Sequence, residues 1–334
     1  MLEFWTFIRQ QLQDGFPVFV AIVAHHSRHS PGTTGAQLAV SKNGDKRGTI
    51  GGGIMEAEVL ELAEKALSTA DYPPRFERLY HRRKAPEDSA KTSGLICAGN
   101  QTNVYLLATP EKDLSDVEEI CNRLQNDKAG LVEITRSGLT LTDYTPEEIE
   151  PPFQFSERAA DRWRFSMQLL NYRRIAIIGG GHCGLALSRV MQQLGYTVTI
   201  FDTRPDLFTF TGNEFATHRI AVEDYAEAGP KISYPHWTHV AVMTANLPSD
   251  VRGLLGVANL PFPYIGVMGA PAKLTRINSD LRELGVDDEA MKRFHAPIGL
   301  AMTSNTPEEI AISIAAEILK KREELFSFTK PPSP

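Results

Sequence analysis

The sequence predicts a two-domain α/β protein whose C-terminal domain is a parallel sheet with helices on both faces. The stretch over 174–202, RIAIIGGGHCGLALSRVMQQLGYTVTIFD, carries this prediction. It begins with an apolar run that lacks polar alternation, as in a strand buried on both faces of a parallel sheet. A glycine loop, an apolar pattern at helical spacing and a second β-rich run follow in that order. This order is a β-α-β unit, and it predicts a Rossmann-like domain over 173–326.

The glycine loop of this unit has the spacing of a dinucleotide-binding site. Gly179, Gly181 and Gly184 form G-x-G-x-x-G, and His182 lies inside the loop. Such glycines permit a tight turn and let a pyrophosphate approach the backbone at the N-terminus of the helix. Asp202 ends the second strand about 20 residues further on, where an acid binds a ribose 2′-hydroxyl and repels a 2′-phosphate. The pattern predicts NAD rather than NADP, and the alternative is a Rossmann-like unit whose nucleotide site is unused.

Strand and helix patterns also fill the first 150 residues, which we predict to form an N-terminal α/β domain over 1–150. Apolar residues at helical spacing predict a helix at the N-terminus and further helices over 54–67 and 114–124. Strand patterns fall at 18–24, 37–41, 48–51, 75–80, 102–108, 131–135 and 139–142. The acidic, proline-rich stretch over 145–152 marks the end of this domain, and we predict a linker and a connecting helix over 151–172.

The C-terminal domain continues the alternation of strands and helices. Successive patterns fall at 218–222, 239–244, 250–258, 264–268 and 273–284. The last helix begins with a capping box, in which Thr306 is the N-cap, Pro307 the first helical residue and Glu309 the third. Residues 327–334 are predicted to be a tail.

Composition and charge narrow the class of protein. The 334 residues are 42% hydrophobic and 23% charged, as in a globular protein with room for two cores. The net charge of −6 gives no reason to expect a nucleic-acid partner. The 3 cysteines are far apart and form no C-x-x-C pair, which fits a reducing compartment. Because the sequence shows neither a signal peptide nor an apolar run that could span a bilayer, we expect a cytoplasmic protein without membrane contact.

Two stretches of the N-terminal domain can carry chemistry. Gly51, Gly52 and Gly53 precede a helix, where a glycine loop can hold an anion such as a phosphate. Glu56 lies in the first turn and already complements the helix dipole, so a tight packing turn is the alternative. Cys97 precedes a predicted strand. Its thiolate can ligate a soft metal or attack a substrate, and the alternative is a small buried hydrophobe.

Taken together, the motifs resemble the XdhC/CoxI family of xanthine dehydrogenase accessory factors. The resemblance covers nearly the whole chain. In the N-terminal half it lies in SPGTTGA (30–36), GTIGGGIME (48–56) and ICAG (96–99). In the C-terminal half it lies in GGGHCG (179–184), 198–204, APIGL (296–300) and TPEEIAISIAAEIL (306–319).

The resemblance implies a protein that binds the molybdenum cofactor, assists its maturation and inserts it into xanthine dehydrogenase or a related molybdenum hydroxylase. By the same resemblance, Gly51, Gly52, Gly53 and Glu56 line the cofactor site, and Cys97 contacts the metal or its sulfido ligand. The resemblance also implies a homodimer, and a cysteine desulfurase is open as a further partner.

Two other functions compete with this one. The first is an NAD-dependent oxidoreductase that uses Gly179, Gly181, Gly184 and Asp202, although the sequence shows no convincing proton donor for it. The second is a partner protein that docks on a dehydrogenase without carrying the cofactor. The sequence favours a cofactor-binding accessory protein over a catalyst.

Overall fold

The computed structural model describes residues 1–27, 30–69, 72–80, 99–146, 150–303 and 306–326. The chain divides into two compact units. Among the described residues, the N-terminal unit comprises Met1–Pro146 and Glu150–Leu170, and the C-terminal unit begins at Asn171 and includes the chain as far as Phe326. None of the helices in the described part of the chain is both long and apolar enough to cross a membrane.

The N-terminal unit combines helices with two antiparallel sheets. Its described helices are α1 (Leu2–Gln13), α2 (Gly53–Ser68) and α3 (Pro110–Gln125). Its described strands are β1 (Val18–His26), β2 (Gln37–Ser41), β3 (Lys46–Thr49), β4 (Arg75–Tyr80), β5 (Asn100–Ala108), β6 (Leu131–Thr135), β7 (Gly138–Thr142), β8 (Phe153–Ala159) and β9 (Arg162–Gln168). The strand order is β3-β2-β1-β5-β4 in the first sheet and β7-β6-β9-β8 in the second.

Strand β1 is central to the first sheet because both of its faces are buried. Val18, Val20 and Ile22 pack in one apolar cluster with residues of α1 and α3. Phe19 and Ala21 point to the opposite face, where they pack with residues of α2. This explains the absence of polar alternation in the strand, since successive side chains of a strand point to opposite faces.

The prediction of a linker and a connecting helix over 151–172 is wrong. This segment instead forms β8 and β9, and β9 pairs with β6 so that Val132 lies opposite Met167. Alternate residues of β9, including Trp163, Phe165 and Met167, are buried in the core of the N-terminal unit. The segment belongs to that unit because this alternation gives it an apolar face to bury.

The C-terminal unit is a parallel sheet covered on both faces, as predicted. Its strands are β10 (Arg174–Ile178), β11 (Thr197–Asp202), β12 (His218–Ala221), β13 (Thr238–Val242), β14 (Tyr264–Val267) and β15 (Phe294–His295). Its helices are α4 (His182–Gln193), α5 (Phe208–Thr211), α6 (Ala228–Lys231), α7 (Leu247–Val257), α8 (Pro271–Glu283), α9 (Asp288–Lys292) and α10 (Pro307–Leu325). The strand order is β12-β11-β10-β13-β14-β15. Strands β11 and β12 are added on one side of β10, and β13 to β15 are added on its other side, so the order of addition switches sides between β10 and β13. Open α/β sheets bind ligands at such a switch point, beyond the carboxyl ends of the strands.

Two C-terminal motifs of the sequence contact each other. Glu317 of α10 accepts hydrogen bonds from the Gly299 N–H and, at 3.0 Å, from the Tyr264 hydroxyl. Ser313 donates to the Leu300 carbonyl oxygen at 2.9 Å. The APIGL segment is thereby held on α10, whose predicted capping box is present.

His239 is fully buried at the start of β13 among aromatic rings. Its Nδ1 lies 3.2 Å from the Arg174 carbonyl oxygen, and its Nε2 has no hydrogen-bond partner among the described residues. Burial lowers the pKa of His239 to about 4; the bond to Arg174 opposes this effect and the positive charge of Arg322 adds to it. The folded protein therefore keeps this imidazole neutral.

We expect the C-terminal unit to lose stability as the pH falls from 6.5 to about 4. In that window the unfolded chain, in which His239 has its ordinary pKa, binds more protons than the folded chain, so unfolding becomes easier as the pH falls. The loss attributable to His239 is on the order of 3 kcal/mol. Denaturation in urea across this window should show a shallower pH dependence for a His239→Phe variant, and an unchanged slope would contradict the assignment.

Candidate functional site

Two motif segments that are distant in sequence meet the start of β5 at one end of the first sheet. Antiparallel pairing places Gln37 of β2 opposite Thr49 of β3, and His26 of β1 opposite Gln101 of β5. The loops over 30–35 and 49–53 and the start of β5 therefore lie together, and we call this region the motif end. The sequence motifs did not reveal this proximity.

Gln101 joins the two loops of the motif end through its buried side-chain amide. Its Oε1 accepts hydrogen bonds from the Ser30 hydroxyl at 3.0 Å and the Gly32 N–H at 3.2 Å. Its Nε2 donates to the Ile50 carbonyl oxygen at 3.1 Å and to Asn103 at 2.8 Å. The loops approach so closely that a Cβ atom at Gly32 would lie 2.2 Å from the Ile50 oxygen.

Gly51, Gly52 and Gly53 form an unusual loop in front of α2. All three have positive φ, at 125°, 71° and 68°, a region that favours glycine. A Cβ atom at Gly51 would lie 2.6 Å from the Gly32 nitrogen, whereas one at Gly52 would meet nothing within 4 Å. Packing therefore explains glycine at position 51, and the backbone conformation alone explains it at position 52.

Glu56 reaches back from α2 and holds this loop. Its Oε2 accepts hydrogen bonds from the Thr49 hydroxyl, from the Ile50 N–H at 3.0 Å and from the Gly52 N–H at 3.1 Å. Burial alone would raise the pKa of Glu56, but these bonds and the charge of Lys46 outweigh burial and lower it. The carboxylate occupies the position that an external anion would take, so such an anion would have to compete with it.

Cys97 lies outside the described residues, and so does its predicted contact with a metal. Nearby, the Asn100 N–H donates to the Ser27 hydroxyl at 2.7 Å, so the described chain re-enters the fold at the motif end. His26 accepts a hydrogen bond from the Thr34 N–H at its Nδ1. Across the described ranges, no cluster of three or more His, Cys, Asp or Glu side chains could hold a metal.

The predicted nucleotide-site residues of the C-terminal unit lie together at the carboxyl edge of its sheet. A Cβ atom at Gly179 would lie 2.4 Å from the Met243 oxygen, and one at Gly184 would lie 2.2 Å from the Gly179 oxygen. Close packing therefore requires both glycines. A Cβ atom at Gly181 would meet nothing within 4 Å, and the exposed His182 ring lies edge-on to Phe208.

Asp202 is buried at the end of β11 and both of its carboxylate oxygens are engaged. One oxygen accepts a hydrogen bond from the Gly180 N–H at 2.7 Å, and the Arg204 guanidinium binds both oxygens at 2.9 Å. Burial would raise the pKa of Asp202, but the bonds from Arg204 and from Gly180 outweigh it and lower the pKa. A ribose would have to displace Arg204. The positive charge of Arg204 also offsets the repulsion between Asp202 and a 2′-phosphate, and the expectation of NAD over NADP rests on that repulsion.

Sequence reasoning missed the residues that surround these predicted ones. Thr209 donates to the Gly180 oxygen at 2.6 Å, and Asp250 binds Thr244 and forms an ion pair with Lys273 at the ends of β13 and β14. Thr209 and Lys273 are distant in sequence from their partners, so these two contacts leave no local signal. Gln101 leaves no sequence signal either, because the first four residues of β5 are all polar.

Comparison with known proteins now identifies the family. Residues 175–318 match the XdhC Rossmann domain, and residues 11–73 match the XdhC and CoxI family. The chain belongs to the XdhC and CoxI family. The second match contains the two loops of the motif end that precede α2, and the first contains most of the C-terminal unit.

Named relatives of this family are distant. The Escherichia coli K12 protein described as uncharacterized protein YqeB is 25% identical over 299 residues. The match covers 88% of this chain but only 42% of the length of that relative. A Bacillus subtilis 168 protein, described as a probable subunit of xanthine dehydrogenase, is 21% identical over 97% of this chain and 98% of its own length. A crystal structure described as a xanthine dehydrogenase from Bacillus halodurans, 19% identical, covers 100% of this chain and 97% of its own with a TM-score of 0.68, which shows a shared fold.

Replacing Glu56 by Gln should loosen the motif end. Charge-assisted bonds to the Thr49 hydroxyl and to the N–H groups of Ile50 and Gly52 become neutral, so we expect hydrogen exchange in the segment 48–56 to accelerate by about fivefold. The matched control is Glu58→Gln on the same helix, which should leave the exchange unchanged. Because the pKa of Glu56 is lowered, the difference should persist above pH 4.5 and fade as the pH falls below it. Equal exchange in the two variants would contradict the role assigned to Glu56.

Two substitutions in the glycine loop over 179–184 should distinguish a glycine that packing requires from a glycine that leaves room for a ligand. Gly184→Ala should lower the stability of the C-terminal unit by more than about 3 kcal/mol because its Cβ atom would collide with the Gly179 oxygen. Gly181→Ala should change stability by less than about 1 kcal/mol, since its φ of −72° suits alanine and no atom lies near. Scanning calorimetry measures both effects, and a large loss for Gly181→Ala would refute this distinction. Because the Gly181→Ala protein is expected to fold, it can be compared with the wild type in calorimetric titrations with NAD and NADP.

Proposed function

We propose that this chain is an accessory factor that carries the molybdenum cofactor at the motif end and delivers it to a xanthine dehydrogenase or a related molybdenum hydroxylase. Membership of the XdhC and CoxI family and the name of the Bacillus subtilis relative support the link to xanthine dehydrogenase. The observation that carries the proposal is that two N-terminal motif segments, the loops over 30–35 and 49–53, meet the start of β5 at one end of one sheet.

At the motif end, a bulky cofactor would approach the glycine backbone rather than the N–H groups that Glu56 already binds. Gly51 and Gly53 expose backbone at the surface, so a ligand can approach the main chain without meeting side chains. The N–H groups of Ile50 and Gly52 are already bound by Glu56, so we assign Glu56 the role of shaping the loop rather than that of a direct cofactor ligand.

The cofactor would bring its own chemistry to this site. It carries a phosphate, dithiolene sulfurs and an oxo-metal, and Cys97 is the soft ligand that we propose for the metal or its sulfido group. The chain itself would bind, shield and hand over this group. A cysteine desulfurase as a further partner and a homodimeric assembly stay predictions at this point.

The alternative of an NAD-dependent oxidoreductase has weaker support. Asp202 and the Gly180 N–H, which would meet a ribose in a dinucleotide site, are bound to each other. We therefore favour an accessory role over catalysis for the C-terminal unit.

The test is to express the chain with and without molybdenum cofactor biosynthesis and to measure molybdenum and pterin in the purified protein. We expect near-stoichiometric pterin and molybdenum only when the pathway is present. Absence of both from the wild-type protein, after exposure to oxidised and to sulfurated cofactor, would rule out the cargo proposal.

A matched pair of cysteine variants tests the metal contact. Cys97→Ser should lower the molybdenum content at least fivefold, whereas Cys183→Ser should leave it unchanged. Cys183 is a suitable control because it is half-buried in the other unit, where burial and the nearby Glu308 raise its pKa. Equal metal content in the two variants would remove Cys97 from the site and leave the cargo proposal standing.

A further inference from the structure

The C-terminal unit carries a half-open groove on the outer side of α4. The groove has a volume of about 360 Å³ and runs between α4, the first turns of α10 and Phe215. Leu185 and Val190 of α4 and Ile312 of α10 give it an apolar lining. Ile312 is 56% exposed, so the groove presents a large aliphatic side chain to solvent.

Two opposite charges stand in the same groove without an ion-pair partner in the described part of the chain. Arg189 lies over the ring of Phe215, with 5.5 Å between the guanidinium carbon and the ring centroid. Glu308 is in the first turn of α10, where the helix dipole favours a carboxylate. Each helix therefore offers one apolar and one charged residue, four positions apart, so that both lie on one face: Leu185 with Arg189 on α4, and Glu308 with Ile312 on α10.

This arrangement is self-complementary. If α10 of a second copy lies antiparallel along α4, its Ile312 meets Leu185 and its Glu308 meets Arg189. A two-fold axis makes the same two contacts again, because a C2 interface uses one patch on both protomers. Another partner would have to reproduce the same spacing of an acid and an aliphatic side chain, whereas a second copy already has it.

We infer that the α4–α10 groove is an interface between two copies of this chain, in which Arg189 of each copy pairs with Glu308 of the other and Ile312 fills the groove. The inference is independent of the proposed cargo, since it uses neither the motif end nor a cofactor. Exposed Phe208 lies beside His182 at one end of the groove and extends the apolar surface.

Sedimentation velocity of the full chain over a range of concentrations tests this interface. We expect a species with twice the 37.0 kDa mass of the chain that dissociates on dilution. Ile312→Asp should raise the dissociation constant by at least about tenfold, because it places a charge in the apolar contact. Arg189→Glu and Glu308→Arg should each weaken the dimer by a similar factor, since each sets like charges opposite one another.

The double variant Arg189→Glu/Glu308→Arg provides the decisive comparison. It restores opposite charges across the interface and should bring the dissociation constant back to within about threefold of the wild type. Leu284→Asp is the control, because Leu284 is 50% exposed and lies outside the groove. Circular dichroism verifies that each variant is folded.

A wild-type chain that stays monomeric would overturn the inference. So would a dimer that Ile312→Asp leaves intact, or a double variant as weak as its parents. A dimer that the Leu284→Asp control also disrupts would place the contact elsewhere and would equally contradict it.

Discussion

A carboxylate that binds the backbone of a loop next to a helix recurs in both units, and the loop geometry depends on it. Helix N-termini leave N–H groups without intrahelical partners, and the helix dipole makes these ends positive. Glu56, Asp113 and Asp250 each lie in the first turns of a helix and reach back to the preceding loop. Asp202 does the same for the glycine loop from a neighbouring strand. A buried N–H that loses its partner costs about 1–3 kcal/mol, so these acids hold conformations that the loops would otherwise abandon.

These internal carboxylates change the interpretation of the glycine-rich loops. From sequence, Gly51 to Gly53 and the loop at Gly179 to Gly184 both suggest anion sites. In the folded chain Glu56 and Asp202 already supply the negative charge at these loops. The loops are therefore prearranged around internal carboxylates, and a ligand must add to that arrangement or displace part of it.

The sequence predicted the regular elements well because their signals are local. The apolar run of β1, the capping box at Thr306 and the β-α-β unit all lie within short stretches, and each is present in the structure. The prediction failed over 151–172, where the proline-rich stretch suggested a linker although the apolar alternation of β9 signalled a strand. The contacts of Gln101 and the hydrogen bond from the Gly180 N–H to Asp202 join residues that are distant in sequence, so pattern and spacing could not establish them.

Packing also separates motifs that maintain the fold from motifs that point to a ligand. The APIGL segment and the α10 motif hold each other through Glu317 and Ser313. Gly184 has to be glycine because a Cβ atom there would collide with the Gly179 oxygen. These residues need no ligand to explain them. Gly52 is different, because a Cβ atom there would meet nothing within 4 Å and only its positive-φ backbone favours glycine. Conformations of this kind persist where surrounding interactions hold them, and they concentrate at functional sites. The motif end carries three successive positive-φ glycines in front of a helix, Gly51 to Gly53, and this run is why we propose the cargo there rather than at the glycine loop of the C-terminal unit.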